Sequence, residues 1–292
     1  MDLRVLSYFL AIAKAGSFSE AALRLHLTQP TLSRQILDLE EELGTKLLNR
    51  TRNNKLITLT EDGMFLCKKA EELLELAAKT KNELAASHQD ISGSIYIGAG
   101  EFSSMGILAK AAKVLTAQHP KINYHLFSGN AESITERLNQ GLLDFGVVIG
   151  TVNMHRYNFM KLPHNTYWGI LMPKSSPLAK KEIIHPQDIW DKPLIISRQS
   201  FESNELSAWL EKDIKEMKII ATYNLLYNAL FFIEEGLGLG IVLANRADKD
   251  ISPNLCFRPL VPKLESATYI IWKKNQQFSR ATELFLQELE RQ

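Results

Sequence analysis

The spacing of apolar residues changes character once along this chain, near Gly93, and that change requires two kinds of architecture in one molecule. Before it, apolar side chains recur at helical intervals: Leu3, Leu6, Leu10 and Ala13; Leu32, Ile36, Leu39 and Leu43; Leu66, Ala70, Leu73, Ala77 and Leu84. Such intervals place each set on one side of a helix. After it, strand-like runs at Ser94 to Gly98, Ile122 to Phe127, Phe145 to Ile149, Trp168 to Met172, Leu194 to Ile196, Ile219 to Tyr223 and Gly240 to Leu243 alternate with helical stretches near 103–118, 130–140, 203–213 and 225–235. That alternation is an α/β pattern. A chain of 292 residues exceeds what one core usually organises, so the two patterns belong to separate units.

Lys plus Arg number 34 against 33 Asp plus Glu, so any nucleic-acid binding must come from local clustering of charge. Cys67 and Cys256 stand apart without partners at metal-ligand spacing, which suggests neither a disulfide framework nor a zinc site and fits a reducing cytoplasm. Val5 to Ala13 followed by Ala13-Lys14-Ala15 superficially resembles a signal peptide, but Asp2 offsets Arg4 and the apolar positions fall on one helical stripe. No run reaches the roughly 18 apolar residues of a membrane span, so a cytoplasmic protein without membrane partners is expected.

Within the first sixty residues, Ser17-Phe18-Ser19-Glu20 has the form of a capping box, with Ser17 accepting from the backbone and Glu20 reaching back. A second, short helix starts there. Thr28 or Gln29 can cap a third, Pro30 is tolerated in its first turn, and Gly44 stands where a C-cap glycine belongs. Two short helices joined by a tight turn, the second turning Gln29, Thr31, Ser33, Arg34 and Gln35 away from its apolar stripe, make a helix-turn-helix. Arg can bond bidentately to guanine, Gln to adenine, and hydroxyls reach base edges or phosphates. A polar helix face is also what any solvated amphipathic helix shows. The following segment favours DNA: from Gly44 to Leu59 there are four basic residues, Lys46, Arg50, Arg52 and Lys55, and no acidic one. Asn53-Asn54 is a turn signal inside it, so the segment reads as a hairpin wing whose cations straddle phosphates.

These motifs resemble the LysR-type regulators. The resemblance is carried by Phe9-Leu10-Ala11-Ile12-Ala13, Gly16-Ser17-Phe18-Ser19-Glu20-Ala21-Ala22, Leu27-Thr28-Gln29-Pro30-Thr31-Leu32-Ser33-Arg34-Gln35-Ile36, Leu39-Glu40, Leu43-Gly44, Leu47-Leu48, Arg50 and Leu59-Thr60, in order and in spacing. Leu48 in place of the usual Phe, and Asp62-Gly63 in place of Ala-Gly, are departures that leave the reading face intact. The resemblance implies that Gln29, Pro30, Thr31, Ser33 and Arg34 face the major groove and that Arg50 and Arg52 belong to the wing. Ser17, Ser19, Thr28, Gln35 and Lys55 complete the candidate DNA contacts.

Thr60-Glu61-Asp62 starts an uninterrupted helical stretch to about Ser87, whose apolar stripe is widened by Met64, Phe65, Leu74 and Leu76 and must be covered. Cover within the chain is one solution. The resemblance implies another, pairing with the same helix of a second subunit, which sets two heads a fixed distance apart on an interrupted palindrome. Ser87 to Gly93 is polar and turn-prone, a hinge before the α/β region. That region resembles the LysR effector domain, itself similar to periplasmic solute-binding proteins, through Gly141-Leu142-Leu143-Asp144-Phe145-Gly146-Val147-Val148-Ile149 and Glu234-Glu235-Gly236-Leu237-Gly238-Leu239-Gly240-Ile241-Val242-Leu243. Ala244-Asn245 replaces a usual proline. The expected organisation is an all-α winged helix-turn-helix at 1–59, a linker helix at 60–88, and an effector domain at 89–292. Its first subdomain takes about 93–162 with 266–292 and its second about 163–265.

By that resemblance a ligand sits against Glu101, Phe102, Ser103 and Ser104, against Ser128 and Gly129, against Ile149 and Gly150, and against Arg198, Gln199, Ser200 and Phe201. Helix N-termini and hydroxyls favour an anion, and Arg198 can clamp a carboxylate or phosphate. Glu101 would repel an anion but welcome an amine, which allows a zwitterion; solvated or mutually paired Glu101 and Arg198 are the plainer reading. An enzyme is disfavoured because no phosphate loop, Gly-x-Gly-x-x-Gly, Gly-x-Ser-x-Gly or metal-spaced His/Cys set occurs. A transport-type binding protein leaves the head unexplained, and a regulator without effector response stays open. The expected function is a sequence-specific, non-enzymatic transcriptional regulator without cofactor or metal. Its partners are double-stranded DNA, a second copy or a tetramer of this chain, RNA polymerase, and a small anionic or zwitterionic effector.

Overall fold

The computed structural model describes residues 1–49, 57–85, 91–101, 103–150, 155–163, 165–201, 204–244 and 252–292, and the chain divides into a helical unit, Met1–Ala85, and an α/β unit, Ala86–Gln292. In the helical unit, Asp2 caps α1 (Leu3–Ala15); Leu6 and Leu10 of the expected stripe are buried together with Phe9 and Ile12, whereas Leu3 is exposed and Ala13 half-buried. Ser17 caps α2 (Phe18–Arg24) by accepting from the Glu20 N–H, but the Glu20 carboxylate turns to Arg24 one helical turn on, so the reciprocal half of the expected capping box does not form. Thr28 caps α3 (Gln29–Leu43), which ends on Gly44 in the left-handed conformation, φ 67°. Leu32, Ile36 and Leu39 of α3 join Leu6, Phe9 and Ile12 in one core, while Leu43, the last position of the expected stripe, is exposed at the helix end.

The strand pair β1 (Leu48–Asn49) and β2 (Thr58–Leu59) is antiparallel and leads into α4 (Glu61–Ala85). The junction is tight. Thr60 Oγ1 accepts from the Gly63 N–H at 2.9 Å and donates to the Lys46 carbonyl at 2.7 Å. A methyl group on Gly63 would lie 2.1 Å from the Leu47 carbonyl oxygen, so only glycine allows this approach. The apolar stripe of α4 divides in two: Leu66 and Ala70 are buried in the head core, while Met64, Phe65, Leu73, Leu76 and Leu84 are exposed.

The α/β unit holds two sheets. β3 (Gly93–Ala99), α5 (Met105–Gln118), β4 (Ile122–Ser128), α6 (Ala131–Asn139), β5 (Phe145–Ile149) and β6 (Tyr157–Lys161) build the first together with the late strand β13 (Thr268–Lys273), in the order β4-β3-β5-β13-β6, with β3 parallel to both β4 and β5. β7 (Thr166–Pro173), β8 (Leu194–Ser197), α7 (Asn204–Leu210), β9 (Ile219–Tyr223), α8 (Leu226–Glu234), β10 (Leu239–Leu243), β11 (Leu255–Pro259) and β12 (Glu265–Ser266) build the second, in the order β11-β7-β10-β8-β9 with β12 on β7. β13 (Thr268–Lys273) then returns to the first sheet between β5 and β6, antiparallel to both, and α9 (Arg280–Glu290) packs on that sheet with α5. The expected α/β alternation is present, and β6, β11, β12, β13 and α9 are additions that it did not contain.

The chain therefore crosses between the sheets twice, between β6 and β7 and between β12 and β13. The crossings touch: Thr166 and Thr268 hydroxyls lie 3.4 Å apart, and Trp168 Nε1 donates to Ser266 Oγ at 3.0 Å. Apolar clusters cover both sheets, one around Ile95, Phe145 and Phe285 and another around Ile170, Ile196 and Trp209.

Candidate nucleic-acid interface and ligand cleft

The N-terminal turns of α3 present Gln29, Pro30, Thr31 and Arg34 to solvent, with Ser33 and Gln35 half-exposed, while Leu32 and Ile36 anchor the opposite side. Thr28 accepts from the Thr31 N–H at 3.4 Å and its hydroxyl lies 2.7 Å from that of Thr31, so the two hydroxyls are held together at the start of the helix. Ser19 is exposed on α2 and Ser17 is committed to capping it. Arg50, Arg52, Lys55 and the Asn53-Asn54 turn lie outside the described residues.

Glu40 escaped the reading of the sequence. It sits in an acidic run, Asp38 to Glu42, that looks like a solvated face, yet it is 3% exposed. Its Oε1 accepts from the Leu47 and Leu48 N–H groups at 2.8 and 3.2 Å, and its Oε2 faces Lys46 Nζ at 3.3 Å. Charge-assisted acceptance by a buried carboxylate is a strong tether. Here it ties α3 to the start of β1 (Leu48–Asn49).

In the α/β unit, a cavity of about 260 Å³ is lined by Ile97, Ala99, Gly100 and Glu101 from β3 and its following loop, Met105 at the start of α5, and Leu126, Phe127 and Ser128 from β4. Of the proposed ligand residues it brings together Glu101 and Ser128. Phe102 lies outside the described residues. Gly129 and Gly150 bear on shape: a methyl group on Gly129 would come within 2.5 Å of Ser133 Oγ, and Gly150 adopts φ 88°. Ile149 ends β5, and Arg198 and Gln199 are exposed in the single turn Arg198–Phe201.

Two serines are unlike their neighbours. Ser104, the N-cap residue of α5, makes no side-chain cap bond, is 6% exposed, and leaves its hydroxyl oxygen without a hydrogen-bond partner. Ser200 Oγ is in the same condition at 4% exposed. A buried hydroxyl with no partner costs about 1–3 kcal/mol, so such groups are unusual unless something else supplies the bond. Ser103 offers its carbonyl to the Gly106 N–H at 3.0 Å and so belongs to the same turn.

Glu101 has a partner that neither sequence alternative contained. Its Oε2 accepts from the Leu226 and Tyr227 N–H groups at 2.8 and 3.2 Å, at the N-terminus of α8 on the other sheet. Nearby, Tyr223 donates to the Ile241 carbonyl at 2.9 Å, and burial, with the Glu101 charge adding, pushes its phenol well above the ordinary value. Among the described residues no group of three or more His, Cys, Asp or Glu could hold a metal, and no helix is long and apolar enough to cross a membrane.

Comparison with known proteins gives matches over both units. A family described as bacterial regulatory helix-turn-helix protein, lysR family, matches residues 3–64, and one described as LysR substrate binding domain matches residues 88–292. The Bacillus subtilis protein called uncharacterized HTH-type transcriptional regulator YvbU is 25% identical over 98% of this chain and 97% of its own. The Hca operon transcriptional activator HcaR of Escherichia coli is 28% identical over 94% of this chain and 93% of its own. Among solved structures, the LysR family transcriptional regulator CbnR matches with a TM-score of 0.79 at 22% identity over 100% of this chain and 99% of its own. The structure of CbnR complexed with target DNA matches with a TM-score of 0.78 at 21% identity over the same shares of each chain.

Proposed function

The chain belongs to the LysR family of transcriptional regulators, and from that premise we propose that α3 reads DNA sequence while the cavity beside α5 senses an anionic small molecule. It is a DNA-binding regulator with an effector-binding domain and not an enzyme. The observation that carries the reading of DNA is the polarity of α3: one side locked into the core by Leu32 and Ile36, the other offering Gln29, Thr31 and Arg34 to solvent in the first two turns. Base-edge donors on a rigid helix are what major-groove discrimination requires.

The division proposed is 1–59 for the head, 60–88 for the linker and 89–292 for the effector domain, with first-subdomain limits at about 93–162 and 266–292 and the second at about 163–265. Phe65 at 67% and Leu84 at 82% exposed leave a long apolar face on α4 that a second copy of α4 covers, giving a homodimer on an interrupted palindrome. Tyr227, Phe231 and Phe232 of α8, exposed beside Ile220 of β9, supply the further self-association surface a tetramer needs. RNA polymerase contact and a cytoplasmic location follow from a role at promoters. For the effector, the unpartnered Ser104 hydroxyl at the start of α5 and the unpartnered Ser200 hydroxyl favour a carboxylate or phosphate.

Binding of the purified protein to its own upstream intergenic DNA, against random DNA of equal length across a salt series, tests this. Tight preference for the upstream fragment is expected. Arg34→Ala should cost about 2 kcal/mol on cognate DNA and relax specificity at one base, whereas Arg52→Ala should weaken all DNA alike and flatten the salt dependence. Equal loss on cognate and random DNA for Arg34→Ala overturns its role.

A further inference from the structure

We infer that Glu101 is a built-in anion that holds the start of α8 and faces the cavity beside α5, so that the effector brings one anionic group to the α5 end and a second is refused. The inference deepens the effector reading above and rests on it for the α5 end.

The first N–H groups of a helix lack intrahelical partners and carry the positive end of its dipole. α8 begins after Leu225, whose side chain has no acceptor to offer. Glu101 supplies what is missing: its Oε2 takes the Leu226 and Tyr227 N–H groups, reaching across from the loop after β3, 125 positions away in sequence. The carboxylate is thereby fixed in place, and it also lines the cavity beside Gly100, Met105 and Ser128.

α5 is treated in the opposite way. Its first residue, Met105, lines the same cavity, its N-cap Ser104 makes no cap bond, and the Ser104 hydroxyl is buried without a partner. Glu101, which fills the start of α8, and Met105, the first residue of α5, line the same cavity, and next to Met105 the Ser104 hydroxyl is buried without a partner. A dicarboxylate or a second phosphate approaching α8 meets a fixed negative charge and finds the donors already used. A single carboxylate on an otherwise neutral or amine-bearing molecule meets neither obstacle.

The experiment is hydrogen exchange at residue resolution on the full chain as wild type, E101A and E101Q, with sodium sulfate as a dianion probe and sodium chloride at matched ionic strength. In E101A the Leu226 and Tyr227 amides should exchange about tenfold faster, the loss of one charge-assisted hydrogen bond, and sulfate but not chloride should restore their protection. E101Q, which keeps the shape and loses the charge, should fall between, and wild type should ignore sulfate at these amides. Unchanged exchange in E101A, or equal sulfate protection at Leu226 and Tyr227 in wild type and variant, overturns the inference. Should E101A fail to fold, the E101Q exchange and the response of wild type to sulfate decide it. Failure of the effector reading shows elsewhere: butyrate, a monoanion, then leaves the wild-type Met105 amide unprotected while the α8 amides still report on Glu101.

Discussion

The reading head and the effector cleft both depend on how helices begin, and they begin them differently. In the head each cap is local: Ser17 serves α2, Thr28 serves α3, and Thr60 Oγ1 accepts from Gly63 at the start of α4. In the α/β unit the Ser104 side chain makes no cap bond to α5, and α8 takes its cap from Glu101 in the loop after β3. A surface that must present the same side chains to every operator gains from closing its own polar groups. A site that must respond to a visitor gains from leaving some of them open, at a cost in stability that the visitor removes.

The sharpest way to break this contrast is Glu40→Ala. It strands the buried Leu47 and Leu48 N–H groups and should cost the head about 3 kcal/mol in urea unfolding; stability within experimental error of wild type would mean that the head is not closed as described. Gly63→Ala pushes a methyl group onto the Leu47 carbonyl and should cost about 2 kcal/mol, read as a lowered unfolding midpoint. The finest comparison pairs two hydroxyls. Thr28→Ala should destabilise the unliganded protein by about 1 kcal/mol. Ser104→Ala removes a hydroxyl with no partner, so it should leave stability unchanged or raise it by up to about 1 kcal/mol while weakening effector binding. Equal destabilisation by the two substitutions erases the distinction.

What could be read from the sequence follows the same line. Ser17, Thr28 and Gly44 act within a few residues of themselves, so their roles stand in local order and spacing. The stripe on α3 is legible because Leu32, Ile36 and Leu39 recur at the helical period. Glu40 was hidden among Asp38, Glu41 and Glu42, since burial of one carboxylate in an acidic run leaves no mark in composition. β13 was hidden because its partners β5 and β6 lie far upstream, and pairing over such separations is set by the assembled sheet. The bond from Leu226 to Glu101 was hidden twice over, being remote and made to backbone, which any residue type provides. Sequence suggested that Glu101 and Arg198 matter to the cleft; it could not say that Glu101 is already engaged.

The double crossing between the sheets sets the mechanics of the α/β unit. Bodies tied by one strand can swivel in several directions, but bodies tied by two adjacent strands keep one easy rotation, about the line through both ties. Thr166 against Thr268 and Trp168 against Ser266 make the ties adjacent. Any rotation of one sheet against the other is thereby confined to a single axis through these two contacts.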